Sequence, residues 1–142
     1  MKTAATLKKY YNNRIYSVRL LLEKTRDTFT EKDFHTLRVE IKRVKAVYAL
    51  VNACVKNFNR KKSLRPLTTF FRQAGKVREL QLLEAEVKKY KPDPSLNRYF
   101  KELTKQSAIE LDHFFALMVE KVKKDLNAME KKMAAFFNKI DN

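Results

Sequence analysis

The chain has 142 residues, 44% hydrophobic and 34% charged, a composition that suits one domain with a real core. Thirty-two Lys and Arg against sixteen Asp and Glu leave a net charge of +16, a self-repulsion that a polyanionic partner would relieve. The single cysteine excludes an internal disulfide, no apolar run reaches the ~20 residues of a membrane span, and the amino-terminal stretch lacks a signal-peptide core, so cytoplasmic residence is expected.

Gly occurs once and Pro three times, which argues for long helices with few turns. The expected fold is all-α, an antiparallel bundle of four long helices forming one domain over residues 1–142. The first helix is predicted over about 3–28, with an apolar stripe of Tyr11, Ile15, Val18, Leu22, Thr25 and Phe29 at alternating steps of four and three. The second is predicted over about 31–58. Thr30 is its N-cap, Asp33 sits in the favourable first turn, and Phe34, Leu37, Ile41, Val44, Tyr48, Val51, Val55 and Phe58 form its seam. Cys54 falls within that helix and is expected to be a buried, inert thiol.

Asn59 to Ser63 is expected to be the next connection, and the third helix to run over about 64–90, capped near Ser63 or Leu64, with Pro66 in its first turn. Gly75 lies mid-helix, where it costs ~1 kcal/mol relative to Ala, so it is expected to permit close approach of a helix or a ligand. Lys91-Pro92-Asp93-Pro94-Ser95 is the clearest break. A last helix over about 95–139 would be far longer than its partners. It should either bend near Thr104–Ser107 or project an apolar stripe (Phe114, Phe115, Met118, Val122, Met129, Met133, Phe136, Phe137) that serves dimerisation.

Just beside the seam of the second helix stand His35, Arg38, Lys42 and Lys45, at steps of three, four and three. They share one stripe, with Glu40 the lone carboxylate in the run and Arg43 pointing further round. A linear anion laid along the helix would resolve their repulsion. On the third helix Arg65, Arg72 and Lys76 share a face. Arg78 lies on another side, expected to be partly buried and to need a carboxylate such as Glu79 or Glu84, or a bound phosphate.

The run His35-Thr-Leu-Arg38-Val-Glu-Ile-Lys42-Arg43-Val-Lys45, followed by Tyr48, resembles the histidine-containing helix of CHAD domains. Gly75-Lys76-Val77-Arg78-Glu79-Leu80, preceded by Leu64-Arg65-Pro66-Leu67, resembles their second motif, and the resemblance covers roughly residues 31–83. It implies a helical domain that binds inorganic polyphosphate through His35, Arg38, Lys42, Lys45, Arg72, Lys76 and Arg78, with Arg43, Lys61, Lys62 and Arg65 as weaker candidates. With that ligand, association with polyphosphate granules is expected. A full CHAD domain holds two pseudo-equivalent halves, and this chain carries one such run. His113 lacks the following Arg and Lys-Arg and is expected to be structural. A homodimer would restore a two-sided basic channel.

The alternative is a basic, helical RNA-binding protein. Its aromatics, however, fall on the apolar seams rather than among the cations, unlike a base-stacking surface. Catalysis is not expected: acidic residues are scattered, and no metal-ligand, P-loop or cysteine cluster is present, so neither metal nor cofactor is called for. Membrane-surface binding is disfavoured because four apolar seams suggest mutual burial.

Overall fold

The computed structural model describes residues 3–90 and 93–140. Helix α1 spans Thr3–Leu22, α2 Glu31–Cys54, and α3 Arg60–Lys88. A 3-10 turn, Pro94–Leu96, leads into α4, Asn97–His113; a π turn, Phe114–Met118, joins α4 to α5, Val119–Phe137. The described residues contain no strand. The chain is the expected all-α antiparallel bundle of four long helices, the last being α4, the π turn and α5 in series. One hydrophobic cluster runs from Tyr11 to Phe137, with α1, α2, α3 and α5 packed around it.

Local chemistry sets the ends. The α1 helix stops at Leu22, before the predicted residue 28, because the Thr25 and Thr28 side chains and backbone close their own turn. Phe29 is still buried, delivered by that turn and not by the helix. At the start of α2 the Thr30 hydroxyl accepts from the Asp33 N–H and the Asp33 carboxylate accepts from the Thr30 N–H, a capping box. Burial acts to raise the Asp33 carboxyl, but the hydrogen bonds from Thr30 and Lys24 outweigh it and hold it below the usual value. The α2 helix ends at Cys54, short of the predicted 58: Val55 is extended and Asn57 adopts φ 65°, a left-handed turn that Asn tolerates. Cys54 is exposed, not buried, because it stands with exposed Asn52 and Ala53 off the seam of Val51 and Val55.

The α3 helix begins four residues earlier than expected. Asn59 is the N-cap, its side chain accepting from the Lys62 N–H, so Arg60, Lys61 and Lys62 form the first turn. Pro66 therefore lies inside the helix, not in its first turn.

The long last helix neither bends at Thr104–Ser107 nor projects its carboxyl-terminal stripe. The break is the π turn, where Phe114 stacks on Phe70 with ring centroids 5.0 Å apart and Phe115 meets Phe29 at 5.3 Å. Beyond it Val119, Val122, Leu126, Met129, Met133 and Phe137 are buried in the bundle's own core. That stripe is therefore no dimerisation element; the core takes it. What stands clear of the core is the other end. Past Val77 no α3 residue is buried, and in α4 only Leu103 and Ser107 are, so these segments pack on each other as a two-helix arm. Lys91 and Pro92 of the expected break lie outside the described residues; Asp93 caps the 3-10 turn by accepting from Ser95.

Candidate anion-binding groove

Helices α2 and α3 run antiparallel, which sets Arg38 of α2 against Gly75 of α3 and Arg78 of α3 against the start of α2. Between them lie two recesses. One, of about 490 Å³, is lined by Arg38, Thr68, Phe71, Arg72, Gly75, Lys76 and Glu79. The other, of about 640 Å³, is lined by Lys45, Arg60, Lys61, Leu64, Arg65, Thr68, Thr69 and Arg72. Thr68 and Arg72 belong to both, so the recesses form one continuous groove. From Arg60 to Lys76 it follows α3 for roughly 24 Å at 1.5 Å per residue.

Phe71 is its floor. The Arg38 guanidinium lies 4.9 Å from that ring's centroid and the Lys45 ammonium 4.3 Å, both in cation–π range of the one ring. Burial first, then the charges of Lys42 and Arg72, hold the Lys45 ammonium below the ordinary lysine value of 10.5. The Arg38 Nε is buried and has no hydrogen-bond partner.

Charge pairing separates the groove arginines from Arg14, Arg19, Arg26, Arg43 and Arg78. Arg14 and Arg43 share the buried Glu40 at 3.1 and 2.7 Å. Arg19 holds Glu130 at 2.8 Å, and Arg26 is paired with Asp112. Arg78 reaches the Glu31 carboxylate at 3.4 Å, not Glu79 or Glu84, because the antiparallel packing brings the first turn of α2 beside it. Among the described residues, by contrast, Arg38, Arg60, Arg65 and Arg72 have no carboxylate within 4.0 Å; nor do Lys42 and Lys45. Lys76 meets Glu110 of α4 only at 3.9 Å.

Of the residues read from the sequence, Arg38, Lys45, Arg65, Arg72 and Lys76 are brought together in the groove, and Lys61 with them. His35 and Lys42 are exposed on α2 and do not line the recesses, although Lys42 is close enough to act on Lys45. Arg43 is turned toward α1 by Glu40, and Arg78 is held by Glu31; both stand outside the recesses. Lys62 faces a different recess. His113, expected to be structural, is exposed. The sequence reading missed Arg60, Thr68, Thr69 and the groove role of Phe71. The steps Lys61, Arg65, Thr68, Arg72 would have exposed Thr68, and Asn59 as N-cap would have placed Arg60 at the helix start. Phe71 belongs to the apolar side of α3 with Leu67, Phe70 and Ala74. It is half-buried and sits among the cations, so the rule that aromatics avoid the basic positions fails there.

The fold and groove define a helical bundle that gathers unpaired cations along one interhelical cleft. The CHAD domain family model matches residues 17–139, and the chain belongs to that family. No curated protein and no solved structure matches it. No helix of the described residues is long and apolar enough to cross a membrane.

Proposed function

We propose that this chain binds inorganic polyphosphate along the α2–α3 groove and acts by binding, not by catalysing a reaction. One observation carries the reading: the arginines outside the groove on these helices hold carboxylates, whereas Arg38, Arg60, Arg65 and Arg72, which line it, hold none. Arg offers fork-like contacts to phosphate oxygens, and Lys45 and Lys76 add point charges. Thr68 and Thr69 supply hydroxyl donors. Membership of the CHAD family, whose domains bind polyphosphate, supports the same ligand. A cytoplasmic place beside stored polyphosphate belongs to this proposal.

Calorimetric titration with polyphosphate tests it, using wild type and Arg38→Ala/Arg72→Ala. Saturable binding that the double variant loses is expected; wild-type affinity in the variant sinks the groove. RNA of equal charge serves as competitor. Phe71, the ring among the cations, is already covered by Arg38 and Lys45, which favours a ligand without bases to stack. RNA displacing polyphosphate mole for mole would reverse that choice.

A second copy of the chain is part of the proposal, docked on the arm. Residues 79–110 hold six basic and six acidic residues, so the whole +16 lies elsewhere. The arm exposes Leu82, Leu83, Tyr90, Tyr99 and Ile109. Lys76 and Glu79 line both the groove and the arm recess beside Leu80 and Leu83, so the two faces are continuous. A second copy meets no net repulsion there and brings a second basic wall to the groove. Sedimentation equilibrium should give a dimer that Leu83→Glu dissociates; a wild-type monomer at all concentrations removes this element and leaves the groove intact.

A further inference from the structure

A separate recess, of about 340 Å³, lies on another face of the first turns of α3, between the α2–α3 connection and α5. Its walls differ from those of the polyanion groove. Tyr48, Phe58, Met129 and Met133 are all buried core residues that present one side to it, and Phe136 closes on Phe58 with ring centroids 4.8 Å apart. The local chain path makes this space. Asn57, at φ 65°, turns the backbone so that Phe58 points inward and Asn59 can cap α3. The rim is polar. Lys62 comes from α3, and Asp125 and Lys132 stand two turns apart on the α5 face that also carries Ala128 and Met129. Neither ammonium has a carboxylate within 4.0 Å among the described residues.

Ligand sites are typically concave, mostly apolar, and carry a few placed polar groups, and this recess sits at the small end of their size range. We propose that it is a binding site for a small amphipathic monoanion, a single ring or short acyl chain bearing one carboxylate. The apolar part would lie against Met129, Met133 and Phe58. Lys62 and Lys132 would meet the carboxylate, and Asp125 would reject a second negative charge. Methionine walls suit such a ligand because their unbranched thioethers adapt to a ring or a chain alike. A polyphosphate gains nothing from these walls, so the two sites divide by chemistry: the groove takes extended charge, and the recess takes apolar surface with one charge.

The probe is 3-phenylpropionate, observed through the methyl signals of ¹³C-labelled methionine in the wild-type chain, with its uncharged amide as control. Met129→Leu and Met133→Leu assign the signals. The Met129 and Met133 methyls should shift saturably with the acid while Met118 stays still, and the amide should bind at least about tenfold more weakly. Lys62→Ala/Lys132→Ala should bring the acid to the level of the amide, and Arg38→Ala/Arg72→Ala should leave the titration unchanged, which separates this site from the groove. The proposal is overturned if Met129 and Met133 do not move at about 10 mM acid, if Met118 moves with them, or if acid and amide titrate alike.

Discussion

The Arg38 guanidinium lies 3.9 Å from the point where a Cβ on Gly75 would stand, an ordinary van der Waals distance. The chain's one glycine is therefore not forced by a backbone clash; among the described residues, only the Arg38 side chain of a neighbouring helix comes within 4 Å of that point. It keeps open the recess that Arg38 faces. Gly75→Ala should fold normally and gain up to about 1 kcal/mol of helix stability, read as a higher Tm. Gly75→Leu should fold as well but cover the guanidinium and weaken polyphosphate by about tenfold or more. Unchanged affinity in the Leu variant would place the ligand away from Arg38.

Arg43 and Arg72 look alike in the sequence and differ in partners. Arg43 is neutralised by Glu40 at 2.7 Å, whereas Arg72 lines both recesses unpaired. Arg72→Ala should weaken polyphosphate binding and lower the slope of log affinity against log salt by roughly one, because one fewer counterion-displacing contact remains. Arg43→Ala should leave the slope alone. Calorimetry at a series of salt concentrations distinguishes them, and equal effects from the two variants would contradict the pairing argument.

Lys45 gives a pH dependence whose sign follows from its environment. Burial, then Lys42 and Arg72, hold its ammonium below 10.5, so the free protein sheds that proton earlier than an ordinary lysine. A polyanion favours the charged form. Affinity should therefore fall as pH rises through the depressed Lys45 value, with proton uptake on binding in that alkaline window. For stability the sign is opposite: the folded state binds this proton less readily than the unfolded state, so the cost of charging Lys45 fades as pH rises through the same window. Lys45→Met should flatten the alkaline limb of both curves.

Deep in the core the Tyr11 and Tyr48 hydroxyls bond each other at 3.0 Å. Burial lifts Tyr11 to about 12 and pushes Tyr48 above the usual tyrosine value. Tyr48→Phe leaves the Tyr11 hydroxyl unpaired and should cost about 1–3 kcal/mol, while Tyr11→Phe/Tyr48→Phe should recover much of that loss. Thermal unfolding of the wild type and the two variants measures it. A double variant no more stable than the single would mean that the Tyr11 hydroxyl is not left unsatisfied when Tyr48 loses its own.

Much was legible in the residue order because helices announce themselves locally. Apolar steps of three and four marked the seams of α1 and α2, and Thr30 with Asp33 marked a start that folded as a capping box. The basic stripe of Arg38 and Lys45 was readable too, since residues seven apart share a helical face whatever surrounds them. The ends of α1 and α2 were not, because Thr25, Thr28 and Asn57 decide them through turns that compete with an unbroken apolar pattern.

Pairing across helices lay beyond the sequence. Whether Arg72 meets a carboxylate depends on which helix lies opposite, and so does the choice of Glu31 over Glu79 or Glu84 for Arg78; the Glu40–Arg43 pair, three residues apart on α2, is the local exception. Register between α2 and α3 put two cations over the single ring of Phe71. The fate of the long last helix was decided the same way. The π turn at Phe114–Met118 joins an aromatic cluster drawn from four segments, and with it the apolar end enters the core while the arm is left outside. Periodicity tells each helix which side to bury; only packing says against what, and so which charges stay free.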